Sequence, residues 1–302
     1  MAGADISGGM TGRASGDARL RPYLGFIWPA LVVCTAVIIF PWLFTIWMSL
    51  NDWHIGSERA FIGLANYANL ATDRRFLESI GHTFYFTILA VFLPLVLGTM
   101  AALVFHKKFR GRGFFRALFI MPMMATPVAV SLVWTMMFHP QLGVLNYLLS
   151  LVGLPPSQWV FATSTVIPSL ILVEIWLWTP FVMIIVLGGL ASLPIEPYEA
   201  ALIDGASQWQ MFWKITYPLV LPFLVVAMII RTIDALKAFE TIWVITNGGP
   251  GTASETLNVY LYAQAFAYNQ VGTASAVVVV FFAIIVALSL VLLWARQKAK
   301  WS

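Results

Sequence analysis

Charge is scarce in this sequence. Asp, Glu, Lys and Arg make up 10% of its 302 residues, against about 25% in an average soluble domain. So little charge cannot cover the outside of a soluble fold. Cysteine is nearly missing as well. Cys34 is the single one, so no intrachain disulfide can form and the redox compartment is unreadable. The four histidines, at 54, 82, 106 and 139, show no metal-ligand spacing. No nucleophile–base constellation stands out. There is also no cluster of His, Asp or Glu near one interface, which an enzyme acting on lipids would need. No Gly-Lys dipeptide occurs, so the chain has no Walker A phosphate loop.

What is present is apolar: 60% of the residues, gathered into long runs. A helix needs roughly 20 apolar residues to cross the hydrocarbon core. The expectation is an all-α membrane protein with about six spans, near 23–50, 79–105, 117–138, 161–190, 218–246 and 273–294. Residues 1–22 are polar and Gly-rich, lack the apolar core of a signal peptide, and read as a cytoplasmic tail. Residues 297–302 read as a short cytoplasmic C-terminus, leaving 23–296 as the membrane domain.

The net charge of +4 does not point to nucleic acid, because the basic residues lie in short loops beside the apolar runs. They give the orientation instead. With the N-terminus inside, the inner segments hold Arg13, Arg19, Arg21, Lys107, Lys108, Arg110, Arg112, Arg116, Lys214, Arg296, Lys298 and Lys300. The outer segments hold only Arg59, Arg74 and Arg75. Twelve against three places both termini in the cytoplasm.

One inner segment, 191–217, is unlike an ordinary connector. It contains EAALIDGASQWQMFWKITY and runs into PLVLP. Pro194 and Pro197 suit a helix start, and Glu199, Ala200, Ala201 and Leu202 are good helix formers. Gly205 can take the left-handed conformation that ends a helix. Phe212, Ile215 and Leu219 then recur at helical spacing. The reading is helix, glycine turn, helix. On spacing alone, two roles stand: docking to another protein, or resting on the lipid surface. Interfacial helices usually carry Lys and Arg, whereas this segment has Glu196, Glu199, Asp204 and a single Lys214.

This stretch resembles the EAA loop of binding-protein-dependent ABC importer permeases, at Glu199-Ala200-Ala201, Asp204-Gly205-Ala206, Phe212, Ile215, Pro218 and Pro222. Tyr217 departs from the family, where Leu is usual. The resemblance extends to FIGLANYANL, MPMMATPVAVSLVWTMMFHPQLGVLN and RTIDALKAFETIWVITNGGP. It points to the carbohydrate branch, near the maltose and glycerol-phosphate permeases of bacterial inner membranes. It implies the type I importer permease fold and an assembly with a second permease, a cytoplasmic ATPase homodimer and an extracytoplasmic solute-binding protein. It also implies that Glu199, Ala200, Ala201, Asp204 and Gly205 couple to the ATPase. ATP and Mg would then bind to the partner, with no cofactor in this chain.

The fifth span carries Arg231, Asp234, Lys237 and Glu240. Counted from Pro218 at 1.5 Å per residue, Arg231 and Asp234 fall about 20 to 24 Å in, near mid-membrane. A charge there costs about 2.5 to 3.5 kcal/mol on insertion scales, so it faces protein or a watery cavity. Two readings stand. Arg231 and Asp234 bond to each other and line the path of a sugar, or they lock this helix to its neighbours. Glu174 in the fourth span either faces the pore or meets Arg231. Trp176 and Trp178 beside it are candidate sugar contacts, while most of the 13 Trp read as interface anchors. The family's maltose permease carries Asn where this chain has Ala235 and Ala238, so an amide-built pocket does not carry over. An ion-driven secondary transporter would explain the spans and buried charges but not the EAA loop.

Overall fold

The computed structural model describes residues 15–299 and is built from helices. Arg13 and the other residues of the tail before Ser15 lie outside the described residues. The first helix, α1, spans Ser15–Ser49 and so begins inside the stretch expected to be a tail. A two-residue hairpin pairs Asn51–Asp52 with Ala60–Phe61 antiparallel, and α2 (Ala65–Thr72) leads to α3 (Arg74–His106). Asp73 caps α3, accepting the amides of Arg75 at 2.8 Å and Phe76 at 3.4 Å. Then come α4 (Arg112–Ile120), a short 3₁₀ turn (Met121–Met124), α5 (Pro127–Met137) and α6 (Val144–Leu151). The long α7 (Val166–Ala191) is followed by α8 (Glu196–Ile203), α9 (Gln208–Met211) and α10 (Tyr217–Leu236). The chain closes with α11 (Glu240–Thr246), α12 (Leu257–Tyr262) and α13 (Val271–Ala299).

Among the described residues, five helical runs are long and apolar enough to cross a membrane. The count reaches six when the bent pair Arg112–Met124 and Pro127–Met137 is taken as one span. The sequence reading drew this third span straight, from 117 to 138. It turns instead through 97°. The cause is local: a residue preceding proline is pushed out of the helical region, and Thr126, before Pro127, sits at φ −69°, ψ 140°.

The fifth span also differs from a straight 218–246 rod. It breaks after Leu236 and restarts at Glu240. At its other end it begins earlier than expected. Helical structure is continuous from Gln208 to Leu236, with a π-turn at Phe212–Thr216 joining α9 to α10.

Burial ranks the helices. In α7 61% of the apolar window is buried, and in α1 only 6%. So α7 is the central post and α1 a peripheral one. Its packing on α3 joins Phe86, Ala90 and Val91 with Val166, Leu170, Val173 and Leu177 in one core. Gly98 permits this approach. A Cβ there would lie 2.6 Å from the Val182 Cβ and 2.9 Å from the Thr179 carbonyl. Small residues at helix crossings are how membrane helices come close without a hydrophobic driving force. The outward faces of α1 and α3 are apolar, with Val37, Phe40, Ile88 and Phe92 all exposed, as lipid contact requires. On one side α1 rests on α13, where Trp42 and Phe282 have ring centroids 4.2 Å apart.

Candidate functional site

The EAA segment forms a rigid elbow. Helix α8 opens with Pro197 in its first turn and carries Glu196 and Glu199 there, where they complement the helix dipole. It ends in a Schellman closure: Ala206 N–H donates to the Ala201 carbonyl at 2.9 Å and Gly205 N–H to Leu202 at 3.2 Å. Gly205 sits at φ +73°, and a Cβ added there meets nothing within 4 Å. Its glycine is therefore required by backbone conformation and not by crowding. Two residues on, Ser207 and Gln210 form a capping box that starts α9. The sequence reading missed that start, although S-x-x-Q is its signature.

The elbow shows its outer side to solvent. Glu199, Ala200, Asp204 and Gly205 are exposed and Ala201 is half-buried. Apolar side chains stand among them, with Ile203 86% and Trp209 70% exposed. On the inner side, Tyr198 Oη lies 3.1 Å from Thr216 Oγ1, tying α8 to the root of α10.

The buried charges are arranged differently from the sequence reading, which bonded Arg231 to Asp234. The Arg231 guanidinium donates to Glu174 on α7, Nη2 to Oε2, at 2.9 Å. Their side chains are 1% and 4% exposed. Asp234 is half-buried and makes no ion pair among the described residues. A fully desolvated cation needs an equally desolvated anion, and Glu174 supplies it while Asp234 stays only half-buried. The ring of Trp178 completes the enclosure, 4.2 Å from the Arg231 Cζ. Glu174 and Trp178 are four residues apart and share one face of α7. Trp176, between them, points away. It is 45% exposed and meets Trp134 edge-on at 5.8 Å. Of the five path candidates, the fold unites Arg231, Glu174 and Trp178 and leaves Asp234 and Trp176 outside the cluster. In this conformation neither partner of the pair presents accessible surface to a solute.

The family described as the binding-protein-dependent transport system inner membrane component matches residues 94–299. This chain belongs to that family. It is a multi-pass inner-membrane permease. It is 34% identical over 279 residues to a probable ABC transporter permease of Sinorhizobium fredii, covering 91% of this chain and 90% of that one. It is 35% identical over 268 residues to the trehalose/maltose transport system permease MalF of Thermococcus litoralis, covering 88% of this chain and 90% of MalF. Among solved structures it resembles a chain of a bacterial alginate ABC transporter, crystallised with a periplasmic protein bound to alginate pentasaccharide. The TM-score is 0.82 at 21% identity, over 96% of this chain and 99% of that one.

The permease has a second polar cluster that sequence reasoning missed. At the start of α3, Arg75 grips Glu255 with two bonds, Nε to Oε2 at 2.6 Å and Nη2 to Oε1 at 2.8 Å, and donates to Tyr268 Oη at 2.9 Å. The Tyr260 hydroxyl bonds Asp73 at 2.6 Å. Burial, then this carboxylate, pushes its pKa well up. The Leu257 amide donates to Thr83 Oγ1 at 2.8 Å. Together these bonds pin the segment after NGGPG to the head of α3. No periodicity links residues 180 positions apart. The one signal was the arginine pair Arg74-Arg75 and the lone Glu255 in two polar segments between apolar runs.

Proposed function

We propose that this permease forms half of the translocation pore of an ATP-driven importer of a sugar or sugar derivative. Its partners are a second permease, a cytoplasmic ATPase homodimer and an extracytoplasmic solute-binding protein. The EAA elbow docks on the ATPase, with Glu199, Ala200, Ala201, Asp204 and Gly205 at the contact. The observation that carries this reading is the continuity of helix from Gln208 to Leu236 behind an exposed apolar elbow. A push on Trp209 is delivered to α10 along one continuous helix, and a push on α8 reaches the same root through the Tyr198–Thr216 bond. The absence of a Gly-Lys dipeptide supports hydrolysis by the partner, which would hold ATP and Mg while this chain holds no cofactor. The relatives named for trehalose and maltose transport support a sugar-class substrate. The enclosed Arg231–Glu174 pair serves as a lock between α7 and α10 and not as a sugar ligand.

The test is substrate-stimulated ATP hydrolysis by the reconstituted complex. Gly205→Val puts a β-branched residue where even an ordinary side chain costs about 1 to 2 kcal/mol. With no neighbour to clash with, assembly should survive while stimulation falls at least tenfold. Full stimulation in an assembled Gly205→Val complex would refute the docking role. Uptake driven by an ion gradient without ATP would refute the importer reading.

A further inference from the structure

We propose that α4 and the turn before it form a binding site for anionic phospholipid headgroups in the cytoplasmic leaflet. The turn and helix carry Lys107, Lys108, Arg110, Arg112 and Arg116, all exposed. None of the five is in an ion pair among the described residues. No acidic residue occurs in the sequence from Ser79 to Val173, so nothing nearby in the chain can neutralise them. Orientation alone does not require this density, since the inner segments exceed the outer ones in Lys and Arg even without these five.

The helix is shaped for an interface. It buries none of its residues. Arg112 and Arg116, four apart, share one face, and Phe114 and Leu118, also four apart, share the opposite one. Phe114 is 70% and Leu118 54% exposed. The helix is fixed by its far end, where Phe119 packs on Phe105 with ring centroids 5.6 Å apart. Past the 3₁₀ turn the chain bends by 97° into α5. An exposed apolar strip beside unpaired cations fits acyl chains below phosphates. No side chain caps the α4 N-terminus, which begins after Gly111 at φ +81°. The Arg112 amide already donates to the Phe109 carbonyl at 3.3 Å, so it is the positive end of the helix and the Arg112 side chain that favour an anion there. A basic run directly beside a membrane span attracts anionic lipid by about fivefold per Lys or Arg.

The experiment uses the intact transport complex in detergent with added phosphatidylglycerol or phosphatidylcholine. Native mass spectrometry counts the lipids retained. The wild-type complex should retain phosphatidylglycerol over phosphatidylcholine. Arg112→Gln with Arg116→Gln should weaken phosphatidylglycerol retention about 25-fold, two cations at about fivefold each. Replacing both arginines by Lys, which keeps the charges, should leave the preference in place. This pair of variants carries the test if removing all five cations prevents assembly. Equal retention of the two lipids by the wild type, or unchanged phosphatidylglycerol retention in the double Gln variant, would overturn the proposal. So would loss of the ATPase subunits from that variant with its lipid count unchanged, which would assign the cations to a protein partner. Retention is read without transport, so its outcome is independent of the importer reading.

Discussion

Replacing Glu174 with Gln leaves Arg231 sealed in the bundle with no counter-charge. The guanidinium is 1% exposed, its Nε already has no hydrogen-bond partner, and its Nη2 reaches the carboxylate at 2.9 Å. Removing one partner of a buried pair costs about 3 to 5 kcal/mol. At 1.4 kcal/mol per tenfold, that is a shift of between about a hundred- and a few thousand-fold toward the unfolded or unassembled state. Arg231→Gln should be comparably damaging. Changing both together, Glu174→Leu with Arg231→Met, removes the desolvation cost as well. It should come out near neutral, or more stable by about 1 to 4 kcal/mol, as with other buried pairs replaced by apolar residues. Asp234→Asn should cost less than about 1 kcal/mol, because the half-buried Asp234 is in no ion pair. The assay is the fraction of complex that stays monodisperse after graded heating in detergent, followed by substrate uptake in liposomes. The lock reading expects the apolar double variant to recover both. A double variant that assembles fully yet fails to transport would refute it and return the pair to the sugar path. Asp234→Asn proving as harmful as Glu174→Gln would refute the pairing itself.

Arg75→Gln breaks both bonds to Glu255, which is 4% exposed on its side chain, and bonds to charged groups are worth about 1.5 to 3 kcal/mol each. Because Arg75 is about a third exposed, a net loss of about 2 to 3 kcal/mol is expected, measured as a lower midpoint of thermal unfolding in detergent. A wild-type midpoint would show that the segment after NGGPG is held by its apolar contacts alone. Reporter fusions after Lys108, Trp209 and Ser302 should report the cytoplasm, and those near Asn66, Leu154 and Ser254 the outside. A cytoplasmic signal at Ser254 would overturn the six-span orientation.

Much of this permease was legible from one dimension. Apolar runs of about 20 residues must become helices in a bilayer, because no water is there to satisfy a bare backbone. Long helices therefore appear at α1, α3, α7, α10 and α13, and their ends lie within about five residues of expectation, apart from the early start of α1 and the fifth span, which begins early at Gln208 and breaks at Leu236 instead of running to 246. The EAA elbow was legible for a similar reason: its helix, glycine turn and second helix are set by neighbours a few positions apart. The breaks were harder. Pro127 was read through as part of a straight third span, although it marks the 97° bend, and nothing in Lys237-Ala238-Phe239 marked the end of α10.

Pairing was settled only in three dimensions. Along the sequence Arg231 sits three residues from Asp234, one turn away, and helical spacing alone makes them partners. In the bundle, α10 lies against α7, and the guanidinium turns inward to Glu174, 57 positions distant. Arg75 finds Glu255 in the same way, 180 positions on. The physical reason is common to both. Hydropathy and spacing act on neighbours along the chain and so fix which segments are helical and where they turn. Which charge meets which depends on how deeply each is buried once the helices are packed, and that depth belongs to the tertiary structure alone.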